Sequence, residues 1–213
     1  MLIFLLSILC AYLIGSIPFG HIAGLCYGVD IRTKGSGNIG ATNVYRVLGK
    51  KPGIIVFLLD AMKGIAAVRV VPQGVAFVLG GVEAVPPGVF VILACAVFVF
   101  LGHTFPVWLR FKGGKGVATG LGLAIGIAPF SALVALAVWI AVFAASRYVS
   151  LASIFAAVVL GAAAWFLDNS AEPRNYAPAV ICALALFVII KHKSNIKRLL
   201  SGTENRFSFS GKK

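Results

Sequence analysis

The chain has 213 residues, 60% of them hydrophobic, and a mean hydropathy of +1.00. A soluble domain would be nearer half apolar, and several nearly uncharged runs of about 18 residues or more exclude one, pointing to an all-α integral membrane protein. Nineteen Lys and Arg against six Asp and Glu give a formal charge of +13, which suits basic loops beside anionic lipid and anionic ligands, and excludes nucleic acid because the cations are scattered over short loops.

In chain order, a first helix is expected over about residues 2–27, a retained span and not a signal peptide. It is followed by a polar stretch, Gly35-Ser36-Gly37-Asn38-Ile39-Gly40-Ala41-Thr42-Asn43, with Arg46 one helical turn past Thr42. Glycine lets backbone approach a ligand and aim several N–H groups at one anion. Helix capping accounts for one or two of these residues, not for all of them.

A second helix is expected over about 53–71. It carries Asp60 and Lys63 one turn apart, and both a structural ion pair and a ligand-binding pair fit them, since charges within spans are costly and face the interior. Residues 72–88 read as an external loop holding only Glu83, and a third helix spans about 89–107. His103, near its end, is placed to face a pocket by the next loop.

That loop, Lys112-Gly113-Gly114-Lys115-Gly116-Val117-Ala118-Thr119, repeats the glycine and hydroxyl character of the first. A helix N-terminus beside a lysine is a ready anion site. A P-loop would need glycine where Leu109 stands and Ser or Thr where Gly116 stands, so ATP hydrolysis is not supported.

The apolar run 116–145 contains Pro129, and charge sidedness demands a break there. Basic residues Arg32, Lys34, Arg46, Lys50 and Lys51 place the first loop in the cytoplasm, and Arg110, Lys112 and Lys115 place the second there. The tail, from Lys191 to Lys213, also belongs inside. Six spans leave that tail outside. Splitting at Pro129 into about 117–128 and 129–145, followed by 151–167 and 177–190, gives seven segments with the N-terminus outside and the C-terminus cytoplasmic. Some of these helices are short or broken, which is tolerated where they line a protein interior or cavity.

In the tail, His192 and Asn195 share a helical face, with Arg198 one turn on. His192 fits a phosphate donor, an acid–base group or a membrane-edge residue. Cys10, Cys26, Cys95 and Cys182 read as small buried hydrophobes, and no spacing of metal ligands occurs, so no metal and no cofactor are expected. Without paired carboxylates or a Cys–His set, an enzyme here would transfer a group directly between substrates, using cations and N–H groups to hold phosphate charge. A phosphate transporter and a lipid-binding scaffold are the rival readings. The first needs polar residues on both sides of the membrane, and the second gives no reason for Asp60, Lys63, His192 and Asn195.

The blocks Gly35–Arg46, Lys112–Thr119 and Arg147-Tyr148-Val149-Ser150-Leu151-Ala152-Ser153-Ile154, with Leu59-Asp60-Ala61-Met62-Lys63-Gly64, His192, Asn195, Arg198 and Glu204, run the length of the chain. In this order and spacing the sequence resembles the bacterial acyl-phosphate:glycerol-3-phosphate acyltransferases of the inner membrane. The resemblance implies one transmembrane domain, residues 1–213, that moves an acyl group from acyl phosphate to the 1-hydroxyl of glycerol 3-phosphate, giving lysophosphatidic acid and phosphate. The soluble enzyme that makes acyl phosphate is an expected partner.

By the same resemblance, Ser36, Thr42, Arg46, Lys115, Ser153, His192 and Asn195 make the phosphate and substrate contacts, the block around Lys115 is the glycerol 3-phosphate loop, and Glu204 is structural. With the reading of the residues added, Ser36, Arg46, Lys115, His192 and Asn195 are the catalytic candidates; Gly37, Asn38, Thr42, Asn43, Lys63, His103, Gly113, Gly114, Gly116 and Ser153 are the expected substrate and phosphate contacts, while Asp60 and Glu204 are expected to be structural.

Overall fold

The computed structural model describes residues 1–80, 88–168 and 176–207. Its described residues form eleven α-helices and two short 3-10 turns. They pack as two compact units, Met1–Ile127 and Ala128–Lys213.

The first unit begins with α1 (Leu2–Ser16) and α2 (Phe19–Cys26). The single first helix expected from hydropathy is therefore broken. Pro18 has no N–H to give and crowds the residue before it, and Ile17 adopts an extended conformation (φ −60°, ψ 114°). A 3-10 turn at Ile31–Thr33 leads to α3 (Ala41–Leu48), so the first polar block is half loop and half helix. The next helix, α4 (Lys50–Arg69), starts three residues earlier than expected.

Next comes α5 (Val71–Gly80), a correction to the external loop expected over 72–88. Pro72 falls in the first turn of this helix, where its missing N–H costs nothing, and the apolar run to Leu79 continues it. Glu83 lies outside the described residues. The unit closes with α6 (Val89–Thr104) and α7 (Val117–Ile127). Its helices approach backbone to backbone, as lipid-embedded helices do through small residues. A Cβ on Gly102 of α6 would overlap the backbone of α1 at Tyr12, and one on Gly122 of α7 would overlap the Ala61 carbonyl of α4.

The second unit comprises α8 (Pro129–Ser146), α9 (Val149–Leu167), α10 (Ala177–Lys191) and α11 (Lys193–Leu200). The break at Ala128–Pro129 is where the charge argument required one. At the start of α8 the Asp168 carboxylate accepts the Ser131 N–H at 2.7 Å and the Phe130 N–H at 3.3 Å, satisfying amides that have no intrahelical partner. Arg147, left-handed at φ 60°, turns the chain from α8 into α9.

Among the described residues, four helices are long and apolar enough to cross a membrane: Leu2–Cys26 taken through its break, Val89–Leu109, Pro129–Ser146 and Val149–Leu167. The pair α10 and α11, bent by 54°, makes a fifth if counted as one span. The seven expected segments also include α4, which carries Asp60, Lys63 and Arg69, and α7, which is only 11 residues long.

Candidate active site

The first glycine loop is built around Asn43. This side chain is 1% exposed, and its carboxamide is fully engaged with the loop itself. Its oxygen accepts the Ser36 N–H at 2.8 Å, and its nitrogen donates to the carbonyls of Ile31 and Lys34, both at 3.1 Å. Asn38 closes a tighter turn by accepting the Gly40 N–H at 2.8 Å. Gly37 is left-handed at φ 69°, and its N–H donates to the Lys34 carbonyl. Asp30 fixes the entry to this segment: Arg32 donates to it through backbone N and guanidinium, and holds its carboxyl down to about 2.

These bonds narrow the expected anion cradle. The N–H groups of Ser36, Gly37 and Gly40 all point into the loop. Donors left for a ligand include the Ser36 hydroxyl, exposed on the loop, and the first N–H groups of α3. Thr42 lies in that first turn, half-buried, and Arg46 stands exposed one turn on.

The second glycine loop folds back on the end of α6. Gly113 donates to the Thr104 carbonyl at 3.2 Å and Gly114 to the His103 carbonyl at 3.1 Å. A Cβ on Gly114 would overlap the His103 ring, and one on Gly116, left-handed at φ 83°, would overlap the Phe100 ring. The glycines expected to cradle phosphate thus serve first to let this loop lie against two side chains. Two of their amides are turned toward protein carbonyls. Lys115 sits half-buried between them, directly before the N-terminus of α7.

Beneath this loop lies a buried ionic cluster. Lys63 Nζ is 2.7 Å from Asp60 Oδ1, and His103 Nδ1 is 3.5 Å from the same oxygen. Lys63 also donates to the Ile17 carbonyl at 3.1 Å, and its ammonium lies 5.5 Å from the centre of the Phe19 ring. Asp60 and Lys63 were each open to a structural or a ligand role; the geometry makes them a buried ion pair.

In the second unit, Glu204 gathers three donors. Its Oε1 accepts the Ser150 hydroxyl at 2.6 Å and the Asn195 amide at 2.7 Å, and its Oε2 accepts Arg198 Nε at 2.7 Å. Burial pushes its carboxyl up, but the three hydrogen bonds and the Arg198 charge outweigh that and hold it below the usual carboxylate value. The tail is stitched down further by Thr203 N–H to the Arg198 carbonyl and Phe207 N–H to the Arg147 carbonyl, both at 2.8 Å. Phe207 also packs edge-on against Phe143, which stacks on Trp139.

His192 is 3% exposed, and its Nδ1 lies 2.8 Å from the Val188 carbonyl. A carbonyl only accepts, so Nδ1 carries the proton, and in the neutral ring Nε2 is the basic nitrogen. Ser153 is buried between neighbours: its hydroxyl donates to the Val149 carbonyl at 2.8 Å and accepts Trp139 Nε1 at 3.2 Å. Its expected substrate contact is thereby reduced to one remaining lone pair.

The predicted residues thus fall into groups. Ser36, Gly37, Asn38, Thr42, Asn43, Arg46, Asp60, Lys63, His103 and the Lys115 loop lie in the first unit; Ser153, His192, Asn195 and Glu204 lie in the second. Sequence reasoning missed Ser150 as a Glu204 partner, Trp139 as the Ser153 partner, and the Ile17 carbonyl as a Lys63 acceptor. Only the last had a signal, Pro18, which frees backbone groups in an otherwise helical run.

The family model described as glycerol-3-phosphate acyltransferase matches residues 5–202. The glycerol-3-phosphate acyltransferase of Trichlorobacter lovleyi is 48% identical over 92% of this chain and 94% of its own. That of Aquifex aeolicus is 43% identical over 95% and 98%.

Among solved structures, the crystal structure of PlsY, an integral membrane glycerol 3-phosphate acyltransferase, in its glycerol 3-phosphate form superimposes with a TM-score of 0.81. It is 40% identical, with 96% of each chain covered. The lysophosphatidic acid form gives 0.79 at 38% identity, over 98% of this chain and 97% of that one. The chain belongs to the glycerol-3-phosphate acyltransferase family of multi-pass integral membrane enzymes.

Proposed function

We propose that the acyl donor is acyl phosphate, that the acceptor is the 1-hydroxyl of glycerol 3-phosphate, and that the acyl group passes directly between them. Lysophosphatidic acid and inorganic phosphate are then the products. The observation that carries direct transfer is the state of the hydroxyls at the motifs. Those of Ser150 and Ser153 are committed to Glu204 and to the Val149 carbonyl. That of Ser36 lies exposed on a loop whose turns are held by amide and carbonyl groups. A serine nucleophile needs an adjacent base oriented by a third group; Ser153 donates only to a backbone carbonyl, Ser36 lies on an exposed loop, and the Glu204 carboxyl beside Ser150 is held below its usual value by its other donors, which makes it a poor base. Acyl phosphate, a mixed anhydride with a good leaving group, does not require a serine nucleophile.

In this reading Arg46 and Lys115 hold phosphate charge in the first unit, with the N-terminal turns of α3 and α7 and the Ser36 hydroxyl adding donors. His192 Nε2 is a candidate acceptor for the hydroxyl proton, and a substrate phosphate is the alternative. The chain sits in the bacterial inner membrane with seven segments, N-terminus outside and motif loops in the cytoplasm. There a soluble enzyme supplies acyl phosphate.

The test is purified protein with glycerol 3-phosphate and either acyl phosphate or acyl-CoA, reading lysophosphatidic acid. Product from acyl phosphate alone supports the donor; product from acyl-CoA alone refutes it. Protein-bound acyl label after incubation with acyl phosphate alone would refute direct transfer.

A further inference from the structure

We infer that Asp60, Lys63 and His103 are positioning residues: one buried device that sets the height of both glycine loops and contacts no substrate. The inference rests on the reading above that these loops hold glycerol 3-phosphate.

The Lys63 ammonium is already engaged within the fold. It donates to the Ile17 carbonyl, lies 2.7 Å from Asp60 Oδ1 and sits 5.5 Å from the centre of the Phe19 ring. Its charge is cancelled by a carboxylate at 2.7 Å, and the two side chains are only 3% and 4% exposed. The position of Lys63 has a different logic. Ile17 lies at the C-terminal end of α1, where orphan carbonyls and the helix dipole favour a cation. Lys63 therefore fastens the Ile17–Pro18 break. Directly beyond the break, Gly20 meets the first loop so closely that a Cβ there would overlap the Ile39 carbonyl. Ile39 stands between Asn38 and Gly40, the two ends of the Asn38 turn.

Asp60 reaches the other loop. His103 Nδ1 is 3.5 Å from its Oδ1, the His103 carbonyl takes the Gly114 N–H, and the His103 ring fills the space a Gly114 side chain would occupy. Lys115 is the next residue. Ile17, Ile39, Asp60, Lys63, His103 and Pro106 line one narrow crevice, so both chains of contact start from the same place.

The experiment is a double-mutant cycle on the full-length enzyme, with KM for glycerol 3-phosphate, kcat and binding of radiolabelled glycerol 3-phosphate as readouts. Gly114→Ala and His103→Ala should each raise KM at least about tenfold while kcat changes less. Combined, they should do no worse than Gly114→Ala alone, because removing the ring makes room for the new methyl. Multiplied effects, or an unchanged KM in His103→Ala, would overturn the inference. A Gly114→Ala enzyme with normal KM would instead overturn the substrate reading of the loop, and the inference with it.

Because a single change at Lys63 leaves a buried charge unpaired, the second arm is Asp60→Leu combined with Lys63→Met. That variant keeps an apolar, filled core and should fold, yet show the same rise in KM. A folded double variant with wild-type KM refutes the device. The binding arm reads the same outcome with any acyl donor or none, so failure of the donor assignment remains distinguishable.

Discussion

Glu204→Ala should release the C-terminal tail from the second unit. The carboxylate is 5% exposed and accepts three donors. A hydrogen bond to a charged group contributes about 1.5–3 kcal/mol when buried. Asn195 is 6% exposed and Ser150 5%, so both qualify. Arg198 is 38% exposed, and solvent screening discounts its share to below about 1 kcal/mol. Allowing for the freed Ser150 hydroxyl finding another acceptor, the net loss is about 3 kcal/mol, or roughly 100-fold in the local opening equilibrium.

Glu204→Gln separates the partners. Both buried donors share Oε1, which the amide can retain, whereas its new N–H₂ faces Arg198 Nε, donor against donor. The loss is then about 1 kcal/mol, roughly fivefold. Hydrogen exchange at the Thr203 and Phe207 amides, whose acceptors are the Arg198 and Arg147 carbonyls, reads the opening directly. Equal exchange in the Gln and Ala variants would refute this division of labour. Unchanged exchange in Glu204→Ala would refute the role itself. The pH dependence has a definite sign. The native carboxyl is held below the ordinary glutamate value, so its contribution is full above that value and is lost as the pH falls through the lower native one.

The remaining expectations concern the loops and the reaction. Asn43→Ala removes three hydrogen bonds from the first loop and should cost about 2–4 kcal/mol, seen as a lower melting temperature with reduced activity; full activity at unchanged stability would contradict the fastener role. Gly116→Ala combines a left-handed backbone with overlap of the Phe100 ring, and should destabilise by more than about 1 kcal/mol, measured by denaturation in detergent. Arg46→Ala and Lys115→Met should each lower kcat/KM by about 10- to 100-fold, the worth of one charge-assisted phosphate contact, and wild-type kinetics in either would sink the phosphate site. His192→Gln should lower kcat by about 100-fold or more if Nε2 takes the proton; near-normal turnover would assign that step to a substrate phosphate.

Much of the fold was legible because membrane helices announce themselves locally. Apolar runs marked the spans, and Pro129 with the sidedness of the cations located a break that hydropathy alone would have passed over. Pro18 carried the same kind of signal within the first run, and an uninterrupted hydrophobic stretch masked it. Pro72 misled in the opposite direction, since a proline that ends one apolar segment also suits the first turn of the next.

The sequence by itself determined the helical membrane class, the glycine-rich blocks and the residue types fit to hold phosphate, because each follows from neighbours along the chain. Tertiary structure decided which of those polar groups remain available to a substrate. Lys63 meets the Ile17 carbonyl across 46 residues, and Ser150 meets Glu204 across 54. The Gly113 and Gly114 amides are taken by the end of α6. Most buried donors find an acceptor, and which acceptor is nearest depends on how helices pack. Motif residues that read alike in the sequence therefore divide, in the fold, into those that hold the loops and those proposed to hold the ligand.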